Sequence, residues 1–183
     1  AIPLFILAAE FMNTGSITER LLRFCVALVG HWRGGLAQVN IVQSIIFAGM
    51  SGSAIADAAG TGKMMQNMMT AGGRYTPAFA AALTAVSSVI GPIIPPSIPM
   101  VLYALVSDAS IGYLFLGGVV PGLLMGVAQM VIVATTARRR NFPVEKPVPL
   151  REIPCITWRA LPSLMMPVVL LGGLAGRLRP GGR

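Results

Sequence analysis

Four stretches of this 183-residue chain carry no charged side chain: Gly34–Ala56, Tyr75–Ser107, Ala109–Ala137 and Ala160–Gly176. A hydrocarbon layer about 30 Å thick takes about 20 helical residues to cross, so runs of this kind constrain the fold more than any single residue does. Hydrophobic residues make up 55% of the chain and charged residues 11%, against roughly 25% charged in an average soluble domain. A chain with so little charge can bury a core but cannot then cover it with polar groups. The hydrophobicity also excludes disorder. The expected fold class is all-α and membrane-integral.

Ala109–Ala137 suits one tilted span. Tyr75–Ser107 would reach about 50 Å as an unbroken helix, too long for one crossing, and it contains Pro92, Pro95, Pro96 and Pro99. A discontinuous helix that crosses once answers both facts. Arg138, Arg139 and Arg140 close the Ala109–Ala137 span, and the positive-inside rule makes that end cytoplasmic. The turn around Asp108 then lies on the outer side, and Arg74 returns to the cytoplasm. The segment between Arg33 and Arg74 is basic at both ends, so it must enter and leave on one side. Its arms, about 16 to 22 and 14 residues, are short for two full spans. A re-entrant helical hairpin with its tip near Ser51-Gly52-Ser53 is expected.

Ser16–Trp32 sets Arg20 and Arg23 against Leu21, Leu22, Val26 and Leu28, the pattern of an amphipathic helix lying along the cytoplasmic interface. Ser16 and Glu19 spell a capping box at its start. The organisation read from the chain is an end of a membrane helix plus interfacial helix at 1–33, hairpin and broken helix at 34–107, and a transmembrane helix at 108–137. A proline-containing cytoplasmic loop at 138–159, a shortened membrane helix at 160–175 and a compositionally distinct tail at 176–183 follow. Both ends read as cut.

Several functions are excluded cheaply. The net charge of +8 invites a nucleic-acid reading, but the arginines punctuate apolar runs instead of lining one face with aromatics, so no nucleic-acid partner is expected. Cys25 and Cys155 lack metal-type spacing and read as reduced packing residues. His31 is the only histidine, which rules out paired-histidine metal motifs, and it reads as a headgroup-level side chain. Gly60-Thr-Gly-Lys63 ends like a phosphate-binding loop, but Asp57 occupies the first glycine position and Met64 stands where Ser or Thr is required. Gly49-Met-Ser-Gly-Ser53 misses the last glycine of a nucleophile elbow. No enzyme, organic cofactor or transition-metal site is expected.

The polar residues inside the apolar runs are more informative. Gly49–Gly62 is dense in small residues, which permit close helix packing, but it also carries Asp57 at membrane depth. An intramembrane carboxylate is costly and points to function. Asp57 either binds an ion directly or caps the second hairpin arm. Thr84, Ser87, Ser88 and Gly91 recur at helical spacing as a narrow polar stripe. The four prolines that follow would free the carbonyls of Ser88, Gly91, Pro92 and Pro95, and free carbonyls at membrane depth persist only where they line protein or a water-filled cavity. Carbonyl and hydroxyl oxygens are hard ligands suited to Na⁺. Helix starts near Ser53 and Pro99 offer positive dipole ends to an anion. A hairpin facing a broken helix reads as a secondary carrier, cation-coupled and anion-transporting.

At two motifs the chain resembles the DctM-like large permease subunit of tripartite ATP-independent periplasmic (TRAP) transporters: Gly49-Met-Ser-Gly-Ser-Ala-Ile-Ala-Asp-Ala-Ala-Gly60 and Ser87-Ser-Val-Ile-Gly-Pro-Ile-Ile-Pro-Pro-Ser-Ile-Pro-Met100. Ala1–Ala8, Thr76–Thr84 and Leu164–Gly173 are similar as well, so the resemblance covers about residues 1–175. It implies a permease of the bacterial inner membrane, multi-pass, importing carboxylate-containing solutes such as C4-dicarboxylates on a Na⁺ gradient by an elevator movement. It further implies two partners, a small membrane subunit and a periplasmic substrate-binding protein, and two inverted halves of which this chain holds the first. Carried over, Ser51, Gly52, Ser53 and Asp57 form the hairpin side of a Na⁺ site, and Ser87, Ser88, Gly91, Pro92 and Pro95 the broken-helix side. Ser97 and Lys63 are candidates for the substrate, Lys63 either facing a cavity or snorkelling to the interface. The segment Ser16–Trp32 would belong to a scaffold arm near the small subunit. After Gly173 the resemblance predicts a Gly-rich run leading to a Phe-Thr-Pro-Thr-Glu-type motif, and Leu-Ala-Gly-Arg-Leu-Arg-Pro-Gly-Gly-Arg183 departs from it. A truncated, non-transporting remnant and a small homo-oligomeric channel subunit are the alternatives.

Overall fold

Every regular element among the described residues is helical. The computed structural model describes residues 17–140 together with 142, 156, 157, 161 and 165. Over residues 17–140, seven α-helices run in order: α1 (Ile17–Val29), α2 (Gly35–Ser51), α3 (Ala54–Ala59), α4 (Thr61–Thr70), α5 (Pro77–Ser88), α6 (Ile98–Ser107) and α7 (Ile111–Arg140). The expected capping box at Ser16 and Glu19, Cys155 and the segments beyond α7 fall largely outside the described residues.

Helix α2 is the axis of the bundle. Its polar residues, Gln38, Asn40, Gln43, Ser44 and Ser51, are all buried, so no face of it is turned to solvent. Accordingly α1, α3, α4, α5 and α7 all pack on it. Helix α1 buries Leu21, Leu22, Cys25 and Val29 against it and keeps Arg20 and Arg23 exposed. This differs in detail from the sequence expectation: the stripe centres on Cys25, so Val26 and Leu28 lie at its two edges and Leu28 remains exposed. Burial pushes the Cys25 thiol up to about 12.

The chain reverses where two small residues follow α2. Gly52 adopts a left-handed conformation (φ 60°), its N–H donates to Ala48 O, and Ser53 caps α3 by accepting from Ala56 N. The tip therefore sits at Ser51–Ser53. The returning arm is divided in two. Gly60, at ψ −93°, interrupts it, so the return consists of the six-residue α3 and the ten-residue α4.

Thr76 and Pro77 start α5, the threonine accepting from Phe79 N and the proline sitting in the first turn, where it has no donor to lose. The charge-free run is then broken between Ser88 and Ile98, as its prolines require. Helix α6 restarts at Ile98 under a Ser97 cap, with Pro99 in its first turn. Asp108, at φ 53°, closes α6 ahead of α7. Among the described residues one helix, Ile111–Arg139, is long and apolar enough to cross a membrane, while Gly35–Ser51, Pro77–Ser88 and Ile98–Ser107 are shorter apolar helices. At the basic end of the bundle Tyr75 donates to Gly34 O at 2.7 Å and packs with Phe79 and Phe142, tying the hairpin base to the end of α7.

Two outcomes follow from this packing. A Cβ on Gly52 would collide with the Pro96 carbonyl oxygen, whereas one on Gly72, also left-handed, would meet nothing within 4 Å. Gly72→Ala should therefore lose only about 1–2 kcal/mol of conformational strain, and Gly52→Ala distinctly more, read as the difference in thermal midpoint in detergent. Equal losses would contradict the contact. Because the Cys25 thiol is raised, it holds almost no thiolate at pH 8, and iodoacetamide should label it only after denaturation.

Candidate functional site

A seam of polar side chains runs through the apolar bundle between α2 and α5. Asn40 Nδ2 donates to Thr84 Oγ1 at 3.0 Å, and Ser44 Oγ to Ser87 Oγ at 3.2 Å. Ser87 Oγ in turn donates to Thr84 O. The stripe Thr84, Ser87, Ser88 and Gly91 is buried along its whole length and faces the hairpin. Asp57 continues the seam from α3. Its carboxylate is 2% exposed, Thr61 Oγ1 donates to Oδ1 at 2.6 Å, and the Ser44 hydroxyl is within reach. Ser44 has one proton, which serves Ser87 or Asp57 at any moment. No cationic side chain among the described residues pairs with Asp57. Since Ser53 supplies the cap of α3, Asp57 is not the capping residue. It lies one turn into the arm and is held by hydroxyls.

The hairpin tip rests directly on the helix break. Gly52 lies against the carbonyl of Pro96 and the backbone of Ser97, and Gly91 against the Ser53–Ala54 peptide. A side chain at either glycine would force the two segments apart. Of the four carbonyls the prolines were expected to free, two have found donors: Ser88 O accepts from Gly91 N, and Pro92 O from Ser97 Oγ. The tight turn after α5 and the cap of α6 re-satisfy them locally. Those of Gly91 and Pro95 have no hydrogen-bond partner among the described residues.

The hydroxyls at this junction are not equivalent. Ser53 and Ser97 accept from Ala56 N and Met100 N as helix caps, and Ser88 donates to Ala85 O within its own helix. Ser51 is different: its Oγ is buried and without a partner. An orphaned buried hydroxyl is a group whose desolvation is uncompensated by roughly 1–3 kcal/mol. Among the described residues no three His, Cys, Asp or Glu side chains converge, and the donors at hand are hydroxyls, carbonyls and one carboxylate, which suits a hard cation. Thus Ser51, Gly52, Ser53, Gly91 and Ser97 come together, Ser87 and Asp57 stand along the adjoining seam, and Lys63 is exposed at the start of α4.

Asn40, Ser44 and Thr61 belong to the seam and were not singled out from the sequence. Their signal was present: Asn40 and Ser44 lie four apart in a charge-free run, matching Thr84 and Ser87–Ser88, and Thr61 lies four after Asp57. Three further buried amides carry unpartnered atoms, those of Gln38, Gln43 and Gln129.

Among the described residues the chain is thus an α-helical bundle with one membrane-length apolar helix, an internal polar seam and a tip seated on a helix break. The chain matches the family described as "Tripartite ATP-independent periplasmic transporter, DctM component" over residues 1–180, and it belongs to that family. Members of this family are membrane transport proteins, not enzymes. The sialic acid TRAP transporter large permease protein of Vibrio cholerae is 43% identical over 182 residues, 98% of this chain and 42% of that protein. The C4-dicarboxylate TRAP transporter large permease protein of the same organism is 41% identical over 96% of this chain and 39% of its own length. The 2,3-diketo-L-gulonate TRAP transporter large permease protein of Escherichia coli is 38% identical, covering 97% and 42%. The chain thus spans about two fifths of the length of these relatives.

The Asp57–Thr61 bond gives a direct check. Thr61→Val keeps the shape and removes the donor, and should destabilise the bundle by about 1–3 kcal/mol. Thr61→Ser, which retains the hydroxyl, should cost well under half of that. Thermal unfolding in detergent separates them, and equal losses would mean that the bond is not what holds the carboxylate.

Proposed function

We propose that this chain forms the first half of the permease subunit of a Na⁺-coupled TRAP carrier for carboxylate-containing solutes. The observation that carries the reading is the seating of the hairpin tip on the helix break with the Ser51 hydroxyl buried and unpartnered. A Na⁺ ion accepted by Ser51 Oγ and the carbonyls of Gly91 and Pro95 would satisfy oxygens that are otherwise desolvated for nothing. Asp57 supplies negative charge along the adjoining seam, with Thr61 and Ser44 fixing its orientation. Ion binding would then clamp the tip onto the break, and loss of the ion would release it.

The rest of the proposal draws on the family. α2 with α3–α4 is a re-entrant hairpin, and α5–α6 a discontinuous crossing, of an inverted-repeat carrier in the bacterial inner membrane. The whole permease would be multi-pass and move by an elevator motion of the hairpin region against a scaffold that includes α1. Its partners would be a small membrane subunit and a periplasmic binding protein that delivers the solute. The substrates named for the relatives above are organic acids, and the start of α6 at Ser97 presents a positive helix end to such an anion. Lys63, exposed on α4, is the second candidate contact.

The test uses the permease in its full-length context. Ser51→Ala should raise the Na⁺ concentration for half-maximal uptake about fivefold, the equivalent of roughly 1 kcal/mol for one lost oxygen ligand. Ser53→Ala and Ser88→Ala should raise it less, because those hydroxyls already serve the backbone. Unchanged Na⁺ dependence in all three variants would remove this assignment.

A further inference from the structure

Helices α5 and α7 splay apart on the outside of the bundle, and the gap between them is a groove of about 190 Å³. Phe79, Ala82 and Val86 form one wall, and Gln129, Ile132 and Thr136 the other. Over the eight positions 79–86 and 129–136 the groove runs about 10 Å. Its lining is apolar except for Thr136 and the Gln129 amide, whose Nε2 is spent on Val86 O. Val86 and Ile132 are exposed, so the groove opens outward instead of toward the seam. One end has a sign. One turn beyond Thr136, at the edge of the same face of α7, comes Arg139. It is exposed and has no ionic partner among the described residues. An apolar slot with an exposed guanidinium beyond one end, on a membrane-length helix, has the two-part character of a phospholipid: acyl chain below, anionic phosphate above. Basic sites between transmembrane helices on the cytoplasmic side favour anionic headgroups in this way, and arginine forks suit phosphate oxygens.

We infer that the α5–α7 groove is a binding site for an anionic phospholipid, its acyl chain lying between Ala82 and Ile132 and its phosphate held by Arg139. The inference rests on the chain's place in the membrane and not on ion coupling, so it survives or fails separately from the Na⁺ site. A lipid seated there would bridge α5, which carries the polar stripe, to α7, and would stiffen the side of the bundle opposite the hairpin.

The experiment takes the whole chain in detergent with equal amounts of dioleoylphosphatidylglycerol and dioleoylphosphatidylcholine, and reads retained lipid by native mass spectrometry. The phosphatidylglycerol should be retained preferentially. Arg139→Gln should lower its retention about fivefold. Ala82→Phe, at an exposed position that leaves the core untouched, should displace the acyl chain and lower retention as well, with helical circular dichroism unchanged. Equal retention of the two lipids would overturn the inference, and so would an arginine variant that binds as well as the parent. Loss in the arginine variant with none in Ala82→Phe would mean a headgroup held at the surface without the groove. Benzoylphenylalanine in place of Ala82 should photo-cross-link to the lipid. Cross-linking to residues 143–183 in its place would show that the chain covers its own groove.

Discussion

The constraint on which this bundle depends is that polar groups placed in an apolar interior must find one another. Helix α2 is enclosed on every side, yet it carries Asn40 and Ser44, and both are satisfied by Thr84 and Ser87 of α5. Those two bonds set the rotation and register of α5 on the hairpin, because in a low-dielectric interior a half-satisfied pair would cost more than it returns. Once α5 is registered this way, Ser88 and Gly91 follow on the same face. The proline-broken segment is delivered to the tip at Gly52, and the Pro96 carbonyl abuts a residue with no side chain. The seam therefore positions the junction, and the junction is where unpartnered oxygens remain.

That arrangement explains why rigidity and incompleteness coexist within a few ångströms. Asn40, Thr84, Ser87 and Thr61 have partners, and so do the capping hydroxyls of Ser53 and Ser97. Ser51 Oγ does not. The amides of Gln38, Gln43 and Gln129 also carry unpartnered atoms, but Ser51 is the one of these next to Gly52, which the Pro96 carbonyl abuts. The two helix breaks also differ in kind. Prolines force the one between α5 and α6, and its local donors repair half of what they free. The tip between α2 and α3 relies on a left-handed glycine and a serine cap, and it is free of proline.

Much of the architecture was legible because it follows from charge and proline, which act locally. The charge-free runs marked the apolar helices, the Ser51-Gly52-Ser53 triplet marked the reversal, and Pro92–Pro99 marked the interruption that ends at Ile98. The polar stripe on α5 was visible because Thr84, Ser87, Ser88 and Gly91 keep helical spacing. Less legible was whatever depended on two segments at once. Gly60 as a kink could not be told from a packing glycine without the neighbouring α5, against whose Thr84 the next glycine, Gly62, is pressed. The fate of the proline-freed carbonyls needed the turn at Ser88–Gly91 and the Ser97 cap to be placed. The Asn40 and Ser44 half of the seam hid among apolar neighbours, since a single polar residue in a hydrophobic helix has no meaning until its partner is known.

The central claim is that the tip and the break together hold a Na⁺ ion through Ser51. Its most direct test is the thermal midpoint of the chain in detergent, measured in NaCl and in KCl at equal ionic strength, for the parent and for Ser51→Ala. A ligand that binds only the folded state stabilises it by about 1.4 kcal/mol at roughly tenfold its dissociation constant. The account predicts a midpoint that rises with Na⁺ but not with K⁺ in the parent, and no such rise in Ser51→Ala. Identical midpoints in the two salts, or a Na⁺-specific rise that persists without the Ser51 hydroxyl, would contradict it.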